Sequence, residues 1–123
     1  ADAELPALYC LASVYFGLSR AEGLDVEGFG IAVADAASSG LPVIVGASGG
    51  TAEVVRDGET GYRVAPTDVA AIVAATAPLL ADPDPRRRLG SAGRRWVETE
   101  LNWDRVVADL RRLSRSVASS ARR

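Results

Sequence analysis

The sequence predicts an α/β fold in which a Rossmann-like parallel sheet, flanked by helices, is followed by a run of C-terminal helices. Three observations carry this reading. Residues 14–64 alternate strand, helix, strand, helix, strand. Pro42-Val43-Ile44-Val45-Gly46 is apolar without alternation, the pattern of a strand covered on both faces. Everything after about residue 66 is helical in period and punctuation. Crossover helices between successive strands imply parallel pairing with right-handed connections.

Taken in order, residues 4–12 form a short helix with Leu5, Leu8, Tyr9 and Leu11 to one side. Residues 14–18, Val14-Tyr15-Phe16-Gly17-Leu18, follow as a buried strand, and residues 19–27 as a polar loop. Phe29-Gly30 opens a helix to about Ser39, stopped by Gly40 and barred from continuing by Pro42. After the central strand, Ala47-Ser48-Gly49-Gly50 turns into a short helix at residues 51–55. Asp57-Gly58 turns again, and residues 61–64 make the third strand. Thr67 or Asp68 caps a helix to about Leu80; Asp82-Pro83 starts a short one that Gly90 ends; residues 91–101 form another. Asn102 caps the last helix, which sets Trp103, Val106, Leu110, Leu113 and Val117 on one face. Residues 116–123 read as a fraying tail. The chain thus divides into a half-Rossmann sheet over about residues 1–66 and C-terminal helices over about 67–118.

Composition narrows the chemistry. The 123 residues contain no histidine and one cysteine, Cys10, so imidazole acid–base catalysis, a Ser-His-Asp triad and a zinc cluster within this chain are excluded. A lone cysteine points to a reducing, cytoplasmic setting, with Cys10 as a small buried apolar residue. There is no methionine, so residue 1 is not a natural start and the chain is expected to come from a longer one. Three parallel strands are also only half of a doubly wound sheet, whose other strands would precede residue 1. All fourteen basic residues are arginine: three face ten acidic residues through Leu80, and eleven face six from Ala81 onward, giving −7 and +5. Such a split fits either a solvated helix face or an anionic partner.

The chemistry concentrates in Glu27-Gly28-Phe29-Gly30-Ile31 and Asp35, where a strand's carboxyl end passes into a helix. Open α/β sheets bind ligands at that edge. The glycines permit close backbone approach, and the N–H groups of Phe29, Gly30 and Ile31 at the helix start suit a diphosphate. Glu27 and Asp35 are placed to accept hydrogen bonds from sugar or ribose hydroxyls. Gly46-x-x-Gly49-Gly50 lacks the G-x-G-x-x-G spacing of a dinucleotide loop, which disfavours a dehydrogenase domain.

Residues 22–36, with Gly40-Leu41-Pro42-Val43-Ile44 and Gly49-Gly50-Thr51-Ala52-Glu53, resemble the large retaining GT-B family of nucleotide-sugar transferases. Asp57-Gly58-Glu59-Thr60-Gly61, Gly90-x-x-Gly93-Arg94 and Asn102-Trp103 extend the likeness along nearly the whole chain. The loop at residues 20–27 looks most like actinobacterial phosphatidylinositol mannosyltransferases. The resemblance implies that Glu27 contacts the transferred sugar and helps hold it beside the leaving phosphate. Gly28, Phe29, Gly30 and Ile31 would present backbone to sugar and diphosphate, Asp35 would bind the ribose, and Arg20 would balance phosphate charge. The family usually has Glu where this chain has Asp35, one methylene shorter. The resemblance further implies a nucleotide-sugar donor such as GDP-mannose, no metal or other cofactor, and a lipid or glycan acceptor. Diphosphate-neutralising cations and the acceptor domain would lie upstream. A cytoplasmic enzyme, peripheral at an anionic inner membrane face and without nucleic-acid partners, is the expectation. The alternative is a non-catalytic half-domain that serves as a binding or dimerisation module.

Overall fold

The computed structural model describes residues 4–20 and 28–120. Strands β1 (Tyr15–Gly17), β2 (Val43–Gly46) and β3 (Tyr62–Val64) form one sheet in the order β1-β2-β3. Both pairings are parallel, with Phe16 opposite Ile44 and Ile44 opposite Tyr62. Helix α1 (Leu5–Leu11) precedes β1, α2 (Ile31–Ser38) links β1 to β2, and α3 (Gly50–Val54) links β2 to β3. Helices α4 (Val69–Ala81), α5 (Pro83–Glu100) and α6 (Trp103–Ser120) follow.

Every residue of β2 is buried, as its unbroken apolar run requires. Successive side chains on a strand point to opposite faces, so β2 divides the core in two. Val43 and Val45 pack with Val33, Ala36 and Ala37 of α2 and with Val54 and Val55. Ile44 packs on the other side with Val64, Leu79 of α4 and Leu89 of α5. Helices on both faces make the sheet doubly wound.

The first strand departs from its expected burial. β1 lies at the sheet's edge, and Phe16 is 45% exposed, lining an open groove with Ile72, Val73 and Leu80 of α4. Cys10, expected inside, is exposed on α1, whose neighbouring Tyr9 packs against the core.

The two helices expected on either side of Gly90 are one 18-residue helix, α5. Gly90 is buried inside it, where a β-carbon would overlap the Gly40 carbonyl. The glycine serves the close crossing of α5 over the turn after α2; it is no stop signal. Trp96 then donates its indole N–H to the Val54 carbonyl at 3.0 Å, and the Arg56 guanidinium stacks on its ring at 3.9 Å. Asp68, not Thr67, caps α4 by accepting from the Ala71 N–H, and Asn102 caps α6 by accepting from the Arg105 N–H, as expected. The expected tail is helical to Ser120. Alanine, arginine and serine have adequate helix propensity, and the apolar stripe that begins at Trp103 continues to Val117.

Candidate functional site

The carboxyl edge of the sheet is built where the segments after β1 and β2 meet. Helix α2 begins at Ile31, with Gly30 as its N-cap at φ 74°. An L side chain rarely adopts that left-handed backbone, and a β-carbon on Gly30 would also lie 2.9 Å from the Thr51 methyl group. Gly30 is buried, and its carbonyl accepts from the N–H groups of Val33 and Ala34. The N–H groups of Ile31 and Ala32, at the first two helical positions, have no partner within the helix. They carry the positive end of the α2 dipole and are the natural anion donors. The helix thus begins at Ile31, with Gly30 as the cap and Phe29 before it.

Helix α3 braces this start. A β-carbon on Gly50 would overlap the Gly28 carbonyl, and buried Thr51 lies against Gly30. Thr51 also donates its hydroxyl to the Ser48 carbonyl at 3.4 Å. The Gly49-Gly50 turn thus acts as a wall that fixes residues 28–30. Its spacing had excluded a dinucleotide loop without revealing this role, and the only sequence sign was the paired glycines opposite Gly28-Phe29-Gly30.

Phe29 and Ile31 are exposed beside the helix start, at 41% and 69%. Asp35 is exposed four residues further along α2, about 6 Å down the axis at 1.5 Å per residue. Its carboxylate opens on a cavity of about 350 Å³ between α1 and α2, lined also by Leu5, Pro6, Tyr9, Ser38 and Ser39. Partial burial, together with Tyr15 and Asp35 nearby, pushes the Tyr9 phenol above its usual range. Arg20 is exposed at the end of the first described segment, and Glu27 lies outside the described residues. The structure thus brings together Gly28, Phe29, Gly30, Ile31 and Asp35.

Residues 1–96 match the family described as glycosyl transferases group 1. The chain belongs to that family. Over 102 residues it is 46% identical to a GDP-mannose-dependent alpha-(1-6)-phosphatidylinositol monomannoside mannosyltransferase of Mycolicibacterium smegmatis, covering 81% of this chain and 27% of that protein. Sucrose-phosphate synthase from Thermosynechococcus elongatus superposes with a TM-score of 0.74 at 34% identity, covering 92% of this chain and 27% of that one. Anabaena HepE, solved in complex with UDP, superposes with a TM-score of 0.75 at 20% identity, covering 95% and 30%. That last likeness speaks to fold alone. The group 1 chain has a GT-B-type sheet and spans about a quarter of the length of the curated relatives it matches. Among its described residues, no helix is long and apolar enough to cross a membrane.

Proposed function

We propose that this group 1 chain is part of the C-terminal, donor-binding domain of a retaining hexosyltransferase that moves mannose from GDP-mannose to a lipid or glycan acceptor. The observation that carries the reading is the start of α2: a Gly30 cap braced by Thr51, with Ile31 and Ala32 N–H groups that have no partner within the helix, at the carboxyl edge of a parallel sheet. The 46% identity to a GDP-mannose-dependent enzyme supports the choice of donor.

In this reading the diphosphate lies against the α2 start, Glu27 holds the mannose, and Asp35 accepts from a ribose hydroxyl. The bond from the anomeric carbon to the diphosphate breaks while a bond to the acceptor oxygen forms on the same face. The acceptor's proton passes to the leaving phosphate, which guides the attack. Charge builds on that phosphate, and the helix start and Arg20 stabilise part of it. Upstream residues of the parent protein supply the remaining cations.

The test is a thermal-shift screen of the full-length protein against GDP-, UDP- and ADP-sugars, followed by radiolabelled transfer to phosphatidylinositol mannosides. Stabilisation by GDP-mannose with labelled lipid product is the expected result. Stabilisation by a UDP- or ADP-sugar alone would contradict the donor, and stabilisation by none would contradict the donor site.

A further inference from the structure

Helices α1 and α2 enclose a cavity whose polar lining is unequal. It has about 350 Å³ of space, within the usual range for small-molecule sites. Of its six lining residues, Leu5 and Pro6 are apolar. The hydroxyls of Ser38 and Ser39 are already committed, donating to the Asp35 carbonyl at 2.8 and 3.0 Å. Their donor capacity is spent, which leaves the Tyr9 hydroxyl as the side-chain donor in the lining, beside the acceptor oxygens of Asp35, Ser38 and Ser39.

Tyr9 is well held for such a part. Its ring is half-buried against the core that includes Val33 and Ala36, and it meets Tyr15 edge-on with centroids 6.0 Å apart. Its phenol carries its proton near pH 7 as any tyrosine does, and partial burial with Tyr15 and Asp35 nearby raises its pKa further. The Asp35 carboxylate offers a vicinal diol only acceptors, and Tyr9 on the facing helix adds a donor to the same cavity.

We propose that Tyr9 is a donor-binding residue that completes the ribose site: its hydroxyl and the Asp35 carboxylate, from α1 and α2, together hold the 2′,3′-diol of the nucleotide. This rests on the donor-site reading above and adds to it a residue from a different element. The diol is gripped from two sides, so a nucleotide without those hydroxyls loses both contacts at once.

The experiment is a ligand–mutant cycle by calorimetry on the full-length protein. GDP, UDP and ADP are titrated first, and the tightest binder is compared with its 2′,3′-dideoxy analogue in wild type and in Tyr9→Phe. The substitution keeps the ring and its contact with Tyr15, and an unchanged melting temperature checks the fold. Affinity for the natural nucleotide is expected to fall about three- to tenfold, the weight of one neutral hydrogen bond, while affinity for the dideoxy analogue stays the same. Equal losses for both ligands, which a merely structural Tyr9 would give, overturn the proposal. Unchanged affinity for both does so as well. If wild type binds no nucleoside diphosphate, the donor site itself fails; if it binds and Tyr9→Phe leaves the discrimination intact, only the role of Tyr9 fails.

Discussion

Gly30 combines a left-handed backbone with contact to Thr51, and an alanine there meets both obstacles. Gly30→Ala is therefore expected to lower stability by about 1–2 kcal/mol from the backbone alone, with the Thr51 contact adding to it. Urea unfolding measures this, and a change below about 0.5 kcal/mol would show that the cap tolerates a side chain. Glu27 is proposed to hold the transferred mannose. Glu27→Ala in the intact enzyme is expected to cut turnover at least about a hundredfold at an unchanged melting temperature, because a charged hydrogen bond and the sugar's alignment are lost together. Near-wild-type turnover would remove Glu27 from the site. At this scale the sequence was legible at the glycines that open α2, of which Gly30 is the cap. It did not show that Gly50 abuts Gly28 or that Tyr9 and Asp35 line one cavity, because those partners lie on other elements.

Among the elements, the central strand could be read directly, since a run such as Val43-Ile44-Val45 suits only a doubly covered strand. The single helix α5 could not. Gly90 and Gly93 look like punctuation in a linear reading, yet both are buried against carbonyl groups, of Gly40 and Thr60 respectively. A stop signal would tolerate alanine; a crossing point would not. Gly90→Ala is accordingly expected to destabilise by about 1–3 kcal/mol through overpacking, measured by chemical denaturation. Asp68→Ala, which removes the α4 cap, is expected to cost about 1 kcal/mol in the same assay. A larger effect at Asp68 than at Gly90 would reverse this ranking.

Among the described residues, apolar side chains stay open at several places, including Phe16 on β1 and a stripe on α6 in which Trp103 is 82% and Leu110 61% exposed. Some of the arginines in the C-terminal part are paired within it, Arg94 with Glu98, Arg105 with Glu100 and Asp109, and Arg112 with Asp109, while the net excess remains. These pairs are exposed and contribute little to stability. The stripe is about a third of the helix circumference, wide enough that packing on another part of the parent protein is its expected fate. Liposome sedimentation of the full-length protein is then expected to be unaffected when Arg111, Arg112 and Arg115 become Gln. A marked loss of binding to anionic vesicles would instead assign this helix to the membrane surface. On the proposed reading, in which further cations come from outside these residues, the 123-residue chain alone is expected to transfer no sugar. Turnover of GDP-mannose by it would contradict the division of labour proposed here.

The central claim is that the start of α2 holds the diphosphate of a nucleotide-sugar donor. The most direct test is a crystal structure of the full-length protein with GDP-mannose. The account predicts diphosphate oxygens within about 3.2 Å of the Ile31 and Ala32 nitrogens and a ribose hydroxyl on Asp35. A donor bound with its diphosphate away from that helix start would contradict it.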